Sequence, residues 1–254
     1  MRILLDIARG VLRAPGCARL IVGALACVAG TACAETTVMF YLGTSLTHNS
    51  DVHTRQPGSG TDAIFRNVSW ESRSFEFPLY YGIRINHFFK DRPNVGIGLE
   101  FTHDKAYART DRVVHVDGTW GGAPVNEDAR MDQRVQSFSM SHGVNIVALN
   151  AYYRGMHETT ASYPNGRWQP YAGAGLTYYV LHPENTVDGQ SNDESYQGGG
   201  FGYQLLGGLN DRITPRGSVF AEAKYNSGKV EVDTAGGGAE TELKSTQLIM
   251  GIGR

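Results

Sequence analysis

Alternation of apolar and polar residues recurs along the chain in short blocks. In VGIGLEFTHD (95–104), Val95, Ile97, Leu99 and Phe101 fall on one face of a strand, and Gly96, Gly98, Glu100 and Thr102 on the other. FPLYYGIRINHFF (77–89) repeats the pattern, with Leu79, Tyr81, Ile83 and Ile85 set against Tyr80, Gly82, Arg84 and Asn86. The same period predicts strands at VMFYLGTSLTH (38–48), VNIVALNAYYR (144–154), WQPYAGAGLTYYVLH (168–182), FGYQLLGGLN (201–210), SVFAEAKYN (218–226) and TELKSTQLIMGIG (241–253), eight strands in all.

Alternation alone fits a soluble sandwich as well as a membrane sheet. The connections separate the two. A long segment around VHTRQPGSGTDAIFRNVSWES is followed by the short KDRPN, then by a long one around RTDRVVHVDGTWGGAPVNEDARMDQ. GMHETTASYPNGR, HPENTVDGQSNDESYQGGG, DRITPRG and SGKVEVDTAGGGAE complete the series, with GMHETTASYPNGR long for a turn. Long outer loops, short inner turns and an even strand count are the pattern of a transmembrane β-barrel. The expected fold is therefore all-β: an eight-stranded antiparallel up-and-down transmembrane barrel with long extracellular loops.

In such a barrel the apolar face meets lipid, which turns Glu100 into the lumen. The same parity turns Arg84, Asn150, Tyr152, Arg154, Gln204, Asn210, Glu222, Lys224 and Gln247 inward, with the register of 144–154 open by one residue. An unpaired Arg or Lys on the lipid side would cost roughly 2–4 kcal/mol near the midplane. Inward glycines at 82, 96, 98, 173 and 175 leave room for the long side chains. Eight strands enclose a space just wide enough for side chains, which argues against a porin.

The first 34 residues change the picture of the mature chain. Arg2, Arg9, Arg13 and Arg19 precede the uncharged run LIVGALACVAGTACA, which ends in Ala32-Cys33-Ala34 and predicts a secretory signal cleaved before Glu35. The expected organisation is thus a cleaved signal over 1–34 and one outer-membrane barrel domain over 35–254. Cys17, Cys27 and Cys33 all lie in the signal, so no disulfide or thiolate metal site is expected in the mature chain. The full chain carries a formal −2 and the signal +3, leaving −5 on 35–254, which argues against a nucleic-acid partner.

Candidate chemistry gathers at the outer rim. His48, His103 and His182 end outward-running strands and His142 begins an inward-running one, with Asp104 and Glu184 alongside. His103, His142 and His182 are candidate metal ligands; these three with Asp104 and Glu184 are the candidate catalytic residues. Imidazoles and carboxylates suit a divalent first-row metal and acid–base work near neutral pH. The alternative is that the rings are amphipathic residues resting at headgroup depth, since no tight histidine pair marks a metal site. Parity predicts that His48, His103 and His182 face the headgroups of the outer leaflet. His48 lies near Asp51 and His53, and His115 near Asp117, in outer loops. No glycine-rich phosphate cradle opens a helix, so neither flavin nor nicotinamide is signalled.

The loops add a further likeness. YLGTSLTHNSDVHTRQPG, DAIFRNVSWESRSFEFPLYYGIR, GLEFTHDKAYARTDRVVHVDGTWGGAPV, QRVQSFSMSHGVN, QPYAGAGLTYYVLHPEN and GFGYQLLGGL resemble the outer-membrane lipid A oxidase family along nearly all the mature chain. The resemblance implies an eight-stranded barrel that oxidises the proximal glucosamine of lipid A to 2-aminogluconate, with dioxygen as oxidant and hydrogen peroxide released. It implies lipid A or another outer-leaflet glycolipid as partner, within the membrane; a monomer is expected. It supplies no catalytic residues, so the rim set rests on position alone. A non-enzymatic structural or surface-binding barrel stays open beside it. The ending MGIGR lacks the aromatic residue with which such barrels usually finish, and less efficient insertion is expected.

Overall fold

The computed structural model describes residues 33–254; the predicted signal lies outside the described residues apart from its last two positions. In chain order the strands are β1 (Cys33–Thr47), β2 (Ser50–Gln56), β3 (Thr61–Val68), β4 (Trp70–Glu71), β5 (Tyr81–Phe89), β6 (Arg92–Ala108), β7 (Val113–Trp120) and β8 (Ala123–Arg130). They continue with β9 (Val135–Arg154), β10 (Trp168–Leu181), β11 (Glu184–Val187), β12 (Gln190–Ser191), β13 (Gln197–Thr214), β14 (Gly217–Thr234) and β15 (Gly237–Gly253). Eight of these, β1, β5, β6, β9, β10, β13, β14 and β15, pair antiparallel in that order. The ring closes where Met39 to Thr47 of β1 meet Gly253 to Ser245 of β15. The eight predicted strands are all present.

The register of β9 is resolved with Asn150, Tyr152 and Arg154 buried and Leu149 and Tyr153 exposed. The predicted lumen set lies inside: Arg84, Glu100, Gln204, Glu222, Lys224 and Gln247 are buried, with Asn210 half-buried. Glu100 is the hub. Arg84 Nη2 donates to its Oε1 at 2.9 Å, Tyr41 OH at 2.5 Å, and Lys224 Nζ bonds the same oxygen. Asn150 Nδ2 and Gln204 Nε2 donate to Oε2 at 3.0 and 2.9 Å. Arg84 also forks onto Glu222 at 2.7 and 2.6 Å, and Tyr171 OH reaches Glu222 at 2.7 Å. Two cations face two carboxylates, so this buried layer is neutral and fills the lumen instead of opening it. Glycine makes the room: a Cβ on Gly82 would stand 2.1 Å from the Tyr41 ring, and one on Gly175 would stand 2.0 Å from Asn150 Oδ1.

The polarity of the wall inverts along the strands. On the lower part of β14 the outer residues are Val219, Ala221 and Ala223 and the inner ones Glu222 and Lys224; above Tyr225 the outer residues are Lys229, Glu231 and Asp233 and the inner ones Val230 and Val232. On β15 Met250 and Leu248 face out where Gln247 faces in, and higher up Lys244 and Glu242 lie on the outside of Leu243. An apolar exterior suits hydrocarbon and an apolar interior suits water outside, so the inversion marks the membrane surface. Tyr81, Tyr178, Tyr203 and Tyr225 stand at that level, as an interfacial girdle requires.

Two expectations are corrected. SGKVEVDTAGGGAE is not a loop: β14 and β15 run on as a paired hairpin to Thr234 and Gly237, because Val230, Val232, Ala239 and Leu243 have an apolar core to enter. The interior is likewise polar only within the membrane. Above it, Val52, Phe65 and Val68 from the first loop, Val116 and Met131 from the second, Phe138 and Met140 from β9 and Val187 from the third share one buried cluster. The loop strands extend the sheet as β15–β2–β3–β7–β8 and form the wall of this cap.

Candidate functional site

His142 lies on the extension of β9 above the girdle, and His182 directly follows β10. The two strands pair up to Val144 and Leu181, and His182 N–H donates to the Gly143 carbonyl at 3.1 Å, which sets the two rings side by side. Their centroids are 5.2 Å apart, tilted by 59°. Glu184 opens β11, which pairs with β9 at Ser139, and this turns its carboxylate back onto the rings. His142 Nδ1 and Ser141 Oγ both hydrogen-bond Glu184 Oε1, and His182 Nδ1 lies 3.6 Å from it. Tyr196 meets the His182 ring edge-on at 4.7 Å and donates its hydroxyl to the His142 carbonyl at 3.2 Å.

Electrostatics favour an ionised carboxylate at this site. Burial pushes the Glu184 carboxyl up, but hydrogen bonds from Ser141 and His142 outweigh it and hold the group below the usual carboxylate range. Burial, then the neighbouring His142, lowers His182 below the ordinary imidazole value. Donor atoms of His142, His182 and Glu184 lie within 4.8 Å of one another.

The other two predicted residues are elsewhere. His103 was expected to face headgroups beside His142 and His182; instead it is 5 % exposed, its ring stacked on Tyr81 at 5.1 Å and its Nδ1 bonded to Asn145 Oδ1 at 2.9 Å. The first loop covers this part of the wall: Glu76 O accepts from Lys105 Nζ at 2.8 Å, and Arg73 lies over the Tyr107 ring. Period two fixes a residue's face and is blind to a distant loop folded over that face. Asp104, next in sequence, points to the opposite side. It is buried in the lumen, taking Gln247 Nε2 at 3.1 Å and the Lys105 N–H at 2.8 Å, and has no place in the cluster.

His48 is at the girdle, half-buried, bonded to Thr246 Oγ1 at 2.9 Å. The loop pairings differ from sequence proximity. His53 bonds Asp62 at 2.5 Å and His115 bonds Asp128 at 2.8 Å, while Asp51 and Asp117 both take Arg66. Ser141 and Tyr196 were not anticipated. Ser141 adjoins His142 and could have been read from SMSHG, whereas nothing in DESYQ distinguishes Tyr196.

A closed even-stranded barrel, apolar outside and charged inside across the span of a bilayer, defines an outer-membrane β-barrel. No family model matches the sequence, and no curated protein does. Solved structures do. The outer membrane protein OprG of Pseudomonas aeruginosa is similar at 12 % identity over 88 % of this chain and 96 % of its own, with a TM-score of 0.48. Neisserial surface protein A is similar at 14 % identity over 86 % and 95 %, with a TM-score of 0.41. The attachment invasion locus protein Ail of Yersinia pestis is similar at 13 % identity over 86 % and 97 %, with a TM-score of 0.35.

Proposed function

We propose that this barrel oxidises an outer-leaflet glycolipid, the proximal glucosamine of lipid A, at the cluster of His142, His182 and Glu184. The observation that carries the reading is the place of that cluster. His182 stands four residues beyond the girdle residue Tyr178 on an outward-running strand, about 13 Å along it at roughly 3.3 Å per residue and about 10 Å in height once strand tilt is allowed for. That is the layer in which headgroup sugars and phosphates lie. The resemblance of the loops to lipid A oxidases supports the same substrate.

The reaction removes two electrons and two protons from C1 and its hydroxyl in the reducing sugar and passes them to dioxygen, giving hydrogen peroxide. Water then opens the lactone to the acid, so the lipid gains one oxygen atom. Proton removal needs a base within hydrogen-bond reach. The second carboxylate oxygen of the ionised Glu184, the one not engaged by His142 and Ser141, can take the proton of the C1 hydroxyl.

The test is to incubate the refolded barrel in air with lipid A lacking its 1-phosphate and to follow lipid mass and peroxide together. Gain of one oxygen with matching peroxide, absent from Glu184→Gln, is expected. A folded barrel that leaves the lipid unchanged would overturn the reading and leave a surface-binding barrel, for which the rigid apolar-cored cap would be the platform.

A further inference from the structure

We infer that His142, His182 and Glu184 bind one divalent first-row transition metal ion, with its remaining coordination positions open to the outside. Two imidazole nitrogens and a carboxylate oxygen within 4.8 Å of one another need only small side-chain movements to converge on a common centre. The donor set is the one such ions prefer, and three protein donors with a free side is the arrangement of reactive sites, whereas structural sites close with four.

Two further features point to a ligand. His182 Nδ1 is out of reach of solvent and has no hydrogen-bond partner, though it faces the Glu184 carboxylate at 3.6 Å. His142 Nδ1 and Ser141 Oγ converge on the same oxygen of Glu184, so the carboxylate is already turned toward the imidazole that would share a cation with it. The backbone is fixed around them. The His182 amide is tied to Gly143, the Ser139 hydroxyl donates to the Glu184 carbonyl at 3.2 Å, and Asn192 Nδ2 holds the intervening Pro183 carbonyl at 3.0 Å. Tyr196 then packs edge-on against the His182 ring and bonds the backbone carbonyl of His142, tying the two ligand positions to one side chain.

The assignment deepens the proposed oxidation and rests on that reading for its catalytic meaning: a redox-active ion beside C1 would give the two electrons a route to dioxygen. Binding itself rests on the donors alone, so the two can fail separately. The experiment is titration of the refolded, chelator-stripped barrel with Co(II), followed by its visible absorption and by calorimetry. One equivalent with an imidazole-containing, low-coordinate spectrum is expected. His182→Ala and Glu184→Ala should each weaken binding by more than about 100-fold, beyond what loss of a supporting residue costs. His157→Ala, at the opposite end of the barrel, should bind as the parent does. His142→Gln and heat-modifiable mobility on gels guard against misfolded variants.

Absence of stoichiometric Co(II) binding by the folded barrel, or binding unchanged in all the cluster variants, would overturn the metal site. Metal binding without lipid oxidation would leave the site standing and remove the oxidase reading. Oxidation that persists in the chelated barrel would keep the oxidase reading and overturn the metal's part in it, the binding site itself being judged by the Co(II) titration.

Discussion

Glu100→Gln tests the central claim about the lumen, that its charges are held there by one another. In the parent, Glu100 and Glu222 balance Arg84 and Lys224, and all four side chains are completely buried. The substitution keeps the volume and removes one negative charge, leaving two cations on Glu222 alone. It also sets an amide among donors from Tyr41, Asn150 and Gln204 that the carboxylate satisfied. Breaking one side of a buried ion pair costs about 3–5 kcal/mol, because the remaining charge is left uncompensated. The second variant, Glu100→Gln with Lys224→Met, restores neutrality. It should regain most of the loss, since replacing a buried pair by apolar volume is often close to neutral. Urea unfolding of the barrel in phosphatidylcholine vesicles, read by tryptophan fluorescence and by gel mobility, measures both. A single variant that loses less than about 1 kcal/mol, or a double variant whose loss is simply the sum of the two single ones, would refute the reasoning.

Other outcomes follow from the same geometry. Phe65→Ala, within the cap, should destabilise the extracellular part by about 3–5 kcal/mol, so that trypsin cuts the first loop while the membrane part keeps its heat-modifiable mobility. Loss of the whole barrel would show that cap and barrel are one cooperative unit. Gly82→Ala should impair folding by about 1–3 kcal/mol or more, since its methyl meets the Tyr41 ring inside the lumen; equal yields of folded protein would count against a close-packed interior. Hydrogen bonds from Arg66 hold the Asp117 carboxyl below the usual carboxylate range. That pairing stabilises the loop sheet above the ordinary carboxylate value and fades as pH falls through the depressed one. A carbon-13 titration of Asp117 should therefore show a midpoint below about 3.9, rising toward it in Arg66→Ala. An unchanged midpoint in the variant would contradict the pairing.

Much of this molecule is written in period two. Tyr81, Ile83 and Ile85 had to share a face, and Arg84 and Glu100 had to share the other, because successive strand residues point to opposite sides whatever the rest of the chain does. Strand number, lipid face and lumen charges follow from that local geometry together with the alternation of long and short connections. Loop structure does not. Whether His103 meets a headgroup or is covered depends on where the segment around Glu76 folds back, and Asp104 was separated from the histidines by the same parity that placed His103. His142, His182 and Glu184 are brought together by the pairing of β9 with β10 and of β11 with β9, contacts between residues some forty positions apart. Strand periodicity is set by the backbone of each residue, so the sequence carries it locally. A cluster is set by which backbones pair, and only the closed barrel with its cap decides that.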